Sequence, residues 1–325
     1  MRIVIGVDRS PEAEQACRFV ADRTWPTGTR AILVGAYAPR VEWASYAAVG
    51  VDDADEDRRD LEALLDQRAD ILRHGVLAIE REVGIGPAAE VLMNAAAGHV
   101  ADLIVVGSRR RGPLSSAILG SVSAHLVDHA PCPVLVVRGS AVARMLVATD
   151  GTLSSQAIPR VLHAWGPALR GCRVGGVSGA RPRVLHAWDP AFRGFPVEVV
   201  SVAPRHGFVT PWATDETEDE PAVEDLAVYH DIAEHVANEL MELGWHAAAV
   251  ARVGQPNREI VAAGEEWGAD LIVTGSRGIG TLHRLLAGSV AHDVLLHTRS
   301  SVLVVRGTVA ARIPVARVAA QLAPG

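Results

Sequence analysis

The sequence predicts an α/β protein of two tandem domains, each a five-stranded parallel sheet with helices on both faces. Three observations predict it. Short apolar runs alternate with helix-period segments, which is how βα units around a buried parallel sheet read. Residues 101–139 align with 269–307 at a constant offset of 168 without a gap, and 20 of the 39 positions are identical, so the unit is duplicated. At 325 residues the chain is long for one domain and comfortable for two, each able to bury its own core.

The elements follow in order. Arg2 to Val7 is a near-continuous apolar run, as a doubly covered strand should be, and it ends at Asp8. Ser10, Pro11 and Glu12 supply an N-cap, a first-turn proline and a first-turn acid for a helix to about Asp22. Ala31 to Tyr37 reads as the second strand. Residues 40–52 read as irregular, and Asp53 to His74 as a long helix whose acidic start suits its dipole. That acid cluster fits a solvated helix end better than a metal site. Leu77 to Val83 is a third strand, Pro87 to His99 a helix, and Asp102 to Val106 a fourth strand closed by Gly107. Gly120 and Ser121 open a helix to His129, and Pro133 to Val137 is a fifth strand.

The pattern then restarts, with Met145 to Asp150 answering Ile3 to Asp8. The expected division is one domain over residues 1–142, a second over 143–310, and a tail over 311–325. In the second copy, the segment Arg160 to Gly171 recurs, slightly altered, at Arg183 to Gly194, displaced by 23 residues. Residues 160–182 read as a duplicated first-helix segment, and Gly175 to Gly179 should make it a protruding surface loop. Val197 to Val202, Ala222 to Leu243, His246 to Val253 and Asn257 to Trp267 supply a strand, helix, strand and helix. Asp270 to Thr274, a helix from Ser289 and Ser301 to Val305 complete the unit.

Several function classes drop out. A net charge of −7 and a pI near 6.0 argue against a duplex nucleic-acid binder, which shows a basic face. Cys17, Cys132 and Cys172 have neither disulfide-framework nor zinc spacing, and Cys132 reads as a small buried thiol. No apolar run approaches the roughly 20 residues of a membrane span, and the first residues are too short a run for a secretion signal. The expectation is a cytoplasmic protein without nucleic-acid or membrane partners. GxxxxGK[ST], a strand-one GxGxxG, HExxH and GxSxG are all missing, and no catalytic base, nucleophile or metal trio can be nominated.

One stretch does point to chemistry. Gly275, Gly278, Gly288 and Ser289 lie between a strand and a helix start. Glycines let main-chain N–H groups approach an anion, and a helix N-terminus adds unpaired donors and partial positive charge. With Asp150 closing the preceding copy of strand one, this spacing resembles the universal stress protein family in its tandem two-domain form. The resemblance covers nearly the whole chain. It implies Rossmann-like domains of the adenine nucleotide alpha hydrolase-like type, with ATP held at the carboxyl edge of each sheet. Carried onto this sequence, it nominates Asp150, Gly275, Gly278, Gly288, Ser289 and Val290 in the second domain. Val202, at the end of strand two, is a candidate adenine-pocket residue; Tyr37 is read as its counterpart. The first domain offers Asp8, Gly107, Gly112, Gly120, Ser121 and Val122, but has Arg110 where Gly278 stands. That cation could block the phosphate path or pair with it.

The implied role is a stress-response regulator with ATP as a ligand rather than a consumed substrate, and Mg²⁺ accompanying the phosphates. The same residues have a plain structural reading: Ser289 as an N-cap, Gly275 as a strand end, Asp150 as a cap for the following helix. Two other functions stay open. One is a non-nucleotide scaffold whose fifth-strand edges, Val134 to Val137 and Val302 to Val305, pair the two domains or two chains as a homodimer. The other is a slow ATPase or self-phosphorylating enzyme.

Overall fold

Strand β1 (Arg2–Val7) runs through the middle of the first half because its side chains are apolar on both faces; Ile3, Val4 and Ile5 have no solvent exposure. A computed structural model describes residues 1–38, 51–73, 78–108, 120–140, 142–170, 196–204, 223–276 and 289–306. The first half continues with α1 (Pro11–Ala21), β2 (Arg30–Tyr37), α2 (Val51–Leu72), β3 (Ala78–Ile85) and α3 (Ala88–Gly98). It closes with β4 (Leu103–Gly107), α4 (Ser121–His129) and β5 (Val134–Val137). The second half comprises β6 (Met145–Ala148), α5 (Leu153–Gln156), α6 (Ile158–Arg170), β7 (Pro196–Ala203) and α7 (Val223–Glu242). After these come β8 (His246–Val253), α8 (Pro256–Trp267), β9 (Leu271–Gly275), α9 (Ser289–His297) and β10 (Ser301–Val305).

The strands form one ten-stranded sheet in the order β3-β2-β1-β4-β5-β10-β9-β6-β7-β8. Every pairing within a half is parallel. The halves meet through the antiparallel pair β5 and β10, where Leu135 lies opposite Leu303. Those two leucines are the same position of the repeat, 168 apart, so a pseudo-twofold axis passes between them. Of the two pairings open to the fifth-strand edges, this chain makes the internal one. One apolar core fills the side of α1, α2, α6 and α7, and the other the side of α3, α4, α8 and α9.

The duplication holds at the level of single bonds. Asp102 Oδ2 accepts from the Arg2 main-chain nitrogen at 2.7 Å, and Asp270 Oδ2 accepts from those of Ala143 and Arg144 at 2.7 and 3.0 Å. Arg2 Nη1 donates to the His99 carbonyl and Arg144 Nη1 to the equivalent Trp267 carbonyl. In the joint, Arg138 grips the end of α9 through the Leu295 and Thr298 carbonyls. Its counterpart Arg306 donates to the Val127 carbonyl of α4 at 2.7 Å. Cations at helix C-termini are doubly favoured, by the bare carbonyls and by the dipole.

Two expectations change. The first copy of the repeated segment does not loop out: residues 160–170 form most of α6. Val161, Leu162, Ala168 and Leu169 are at most 1% exposed and Trp165 only 4%. Counted from Val161 these residues fall at i, i+1, i+4, i+7 and i+8, with buried Ile158 three residues earlier, which is the stripe of a core-facing helix, so this copy takes the place α1 holds in the first half. A short α5 precedes it because Pro159 has no N–H with which to continue the earlier turn. Gly175 to Gly179, the second copy and the tail lie outside the described residues. The second change concerns register. Gly35 is opposite Val7 and Val200 opposite Ala148, which makes Ala36 the counterpart of Val202 and pairs Tyr37 with Ala203. The neighbouring strands agree, since Tyr37 faces Ile85 and Ala203 faces Val253, 168 residues apart. A one-residue offset moves a side chain to the opposite face of the sheet.

Helices α3 and α8 end alike, with Ala101 N donating to the Ala96 carbonyl and Ala269 N to the Gly264 carbonyl, both at 2.8 Å. The left-handed residue is Gly268 (φ 65°) in one and Val100 (φ 49°) in the other. A β-branched residue there costs about 1–2 kcal/mol, while a glycine costs part of that in chain entropy. Val100→Gly should therefore stabilise the protein by about 1 kcal/mol, read as a higher urea midpoint with unchanged slope. An unchanged or lower midpoint would refute the strain. Cys17 and Cys132 are both buried, and burial pushes the Cys17 thiol up to about 12.

Candidate functional site

Each half reverses strand order beside its first strand. In the first half β1 lies between β2 and β4, and in the second β6 lies between β7 and β9. Helices leave the two sides of such a point in opposite directions, so a crevice opens at the carboxyl ends of the strands. The structure brings Asp8 and Gly107 to one crevice and Asp150 and Gly275 to the other.

Both acids are anchored. Asp150 Oδ1 accepts from the Thr152 nitrogen at 3.0 Å, Thr152 Oγ1 at 2.7 Å and Ser155 Oγ at 2.9 Å. Asp8 Oδ1 accepts from the Ser10 nitrogen at 2.9 Å and from its hydroxyl, while Ser10 Oγ caps Ala13 N of α1 at 3.2 Å. The N-cap positions belong to Ser10 and Thr152, so the cap expected of Asp150 takes the form of a clasp by each acid on the turn before its helix. It also leaves a half-buried carboxylate in a fixed orientation at the mouth of each crevice. The supporting hydroxyls Ser10, Thr152 and Ser155 were not nominated from sequence, although an acid followed by Ser or Thr two residues on is a recognisable turn signal.

The strand-end glycines have a clear packing reason. A methyl group on Gly107 would lie 2.3 Å from the main-chain carbon and oxygen of Glu12 in the first turn of α1. On Gly275 it would lie 3.0 Å from the Ser155 nitrogen and 3.2 Å from Ser154 Cβ in α5. Glycine thus lets the helix after the first strand sit directly on the end of the fourth.

Gly120 is the N-cap of α4 in extended backbone, and its carbonyl accepts from Ala124 N at 3.1 Å. Ser121 is exposed and Val122 half-buried against the core. Ser123, absent from the sequence prediction, points its hydroxyl at the Gly107 carbonyl at 3.4 Å and ties the helix start to the strand end. Ser289 opens α9 and Val290 is half-buried against the same core. Gly278, Gly288, Gly112 and Arg110 lie outside the described residues. Val202 is 7% exposed and packed in the core on the α8 side, so only its main chain is left to meet a ligand.

In the first half a cavity of about 540 Å³ opens between the ends of β1 and β2 and the flank of α2. Asp8, Arg9, Tyr37, Asp57, Asp60 and Leu61 contribute to its wall, and Arg9 Nη2 pairs with Asp60 Oδ2 at 2.7 Å. Tyr37 stands in that wall at the end of β2. Asp57 belongs to the acid cluster expected at a solvated helix start and Asp60 to the helix after it, and their place beside Asp8 depends on how α2 crosses the sheet.

A doubly wound sheet with an acid and a glycine flanking each switch point defines a class: open α/β proteins that take ligands at the carboxyl edge of the sheet. The sequence profile described as the universal stress protein family matches residues 1–138 and again 142–306. A universal stress protein of Mycobacterium tuberculosis is 31% identical over 325 residues, covering 94% of this chain and 96% of its own. A universal stress protein from Thermus aquaticus is 34% identical over 140 residues, covering 42% of this chain and 97% of its own. Among solved structures, a universal stress protein from Archaeoglobus fulgidus superposes with a TM-score of 0.59 at 17% identity, covering 94% of this chain and 96% of that one, which speaks to the fold. The chain belongs to the universal stress protein family in its tandem form, and its role is in the stress response. Among the described residues no helix is long and apolar enough to cross a membrane.

Proposed function

We propose that this protein binds ATP as a regulatory ligand, in the second half above all, and that the bound state alters the surface it presents to partners. The observation that supports this reading is the position of Asp150 and Gly275 on either side of the β6–β9 switch point, with α9 opening at Ser289. A carboxylate whose Oδ1 is fully engaged by Thr152 and Ser155 is held rigid, and such an acceptor suits a ribose hydroxyl or an amino group. The spacing of Gly275, Gly278, Gly288 and Ser289 is intact in sequence, as an anion-binding turn before a helix requires. Val290 would flank the phosphates, and in the first half Asp8, Gly120, Ser121 and Val122 would hold a nucleotide in the same manner. Mg²⁺ would enter on the phosphates, whose oxygens and retained waters supply most of its octahedral ligands.

Mass-spectrometric identification of ligand released from denatured protein, with an ATP titration of ligand-free protein by calorimetry, tests the reading directly. Gly288→Val places a branched side chain where the phosphates would lie, and it should reduce ATP affinity at least 100-fold while the far-ultraviolet spectrum stays native. Unchanged affinity in that variant would remove the site assignment. ADP release by nucleotide-binding protein would instead favour the slow ATPase, and absence of any nucleotide or thermal shift would favour the scaffold.

A further inference from the structure

Arg138, the residue that follows β5, touches both halves in a way the nucleotide reading does not use. Its Nε donates to the hydroxyl of Ser108 at 3.1 Å, the residue next to Gly107 at the exit of β4. Its two terminal nitrogens donate to the Leu295 and Thr298 carbonyls at the far end of α9 in the other half. The Arg138 main-chain nitrogen donates to Ser301 Oγ at 3.1 Å, and its carbonyl accepts from Gln15 of α1 at 3.3 Å. Ser108 is 4% exposed and itself bonded to the Val137 carbonyl at 3.1 Å, so the brace is fixed at both ends. A guanidinium is planar, and holding its Nε edge orients its outer edge. Helix α9 is nine residues long and opens at Ser289, so a tilt at its gripped end is felt at the end where the phosphates would bind.

We propose that Arg138 is a positioning residue for the second half's site: it holds α9 in place through the brace that Ser108 of the first half provides, so the state of one crevice biases the other. That α9 borders a nucleotide rests on the function proposed above; the brace itself does not. The effect runs in both directions by linkage, and occupation of the first-half crevice should favour binding in the second half.

The test is hydrogen exchange by mass spectrometry on the full chain, comparing the wild type with Ser108→Ala and Arg138→Lys, each with and without ATP. Ser108→Ala deletes only the brace. Without nucleotide it should speed exchange in the last turn of α9 about five-fold while α4, which lies in the same half as the mutation, stays within two-fold. Arg138→Lys, which keeps the charge but cannot span three acceptors, should do the same. With ATP, wild-type α9 should gain protection that Ser108→Ala reduces. If α9 is unchanged in both variants, or if α4 loosens instead, the proposal fails. Faster α9 exchange in the variants with no ATP response in any of the three proteins would sink the nucleotide reading and leave the brace standing.

Discussion

Gly107→Ala should lower stability by about 3 kcal/mol or more, whereas Gly275→Ala, at the equivalent position, should cost under about 1.5 kcal/mol. The positions are the same in the repeat, and both end a fourth strand at the switch point. What differs is the helix packed on them. The added methyl on Gly107 meets main-chain atoms of Glu12 at 2.3 Å, and main chain has no rotamer by which to escape. Either α1 lifts, losing the burial of Phe19, Val20 and Cys17 against the sheet, or β4 bends away from β1. On Gly275 the nearest atoms are 3.0 to 3.3 Å away and belong to the four-residue helix α5, which can give by a few tenths of an ångström. Urea unfolding of the two variants side by side checks this. Equal losses would mean that the packing of α1 on Gly107 is not what demands a glycine there. The lift should also displace Asp8, whose carboxylate is tied to Ser10 at the start of α1.

The second large effect is expected at the joint. Arg138→Ala should cost about 2–3 kcal/mol, because it strips a charged donor from two α9 carbonyls and from Ser108 together. The side chain is half-buried, so part of the loss is made up by water, which holds the figure below the sum of three buried charged bonds. Thermal unfolding should show a midpoint lower by about 5 °C, and hydrogen-exchange protection in β5 and β10 should fall before protection in β1 and β6. Loss of protection spread evenly over all ten strands would show that Arg138 contributes to general stability rather than to the joint. Joining β5 to β10 also leaves β3 and β8 as the only sheet edges among the described residues. Glu80, Arg81 and Glu82 on β3 are the kind of charged edge that resists adding another strand.

Much of this was legible in the chain. Strand and helix order followed from apolar runs and caps, because buried parallel strands leave uninterrupted Val, Ile and Leu and because helix starts need Ser, Pro and acids at set places. The helix from Gly120 and Ser121 to His129 is one example, found as Gly120-capped Ser121–His129. Repetition at a fixed offset marked two halves, and the family profile matches the chain twice, over 1–138 and 142–306. Asp8, Asp150, Gly107 and Gly275 were reached through the glycine spacing and the family it resembles, and the fold places them at strand ends beside the switch points.

Other features rested on contacts between distant residues, which spacing does not encode. Counting along the chain put Tyr37 level with Val202, but strand pairing puts Ala36 there, since register is set by neighbouring strands and not by chain length. Two near-identical copies of one segment cannot reveal which of them fills a core; the structure seats residues 160–170. Asp57 and Asp60 gained a place beside Asp8 only when α2 was laid across β1 and β2. By itself the sequence settled the kind of unit, its duplication and the residues at each strand end, all of which are local in the chain. The antiparallel seam at Leu135 and Leu303, and the arginine grip across it, were decided by tertiary structure, because a strand edge carries no mark of which partner will satisfy its N–H and C=O groups.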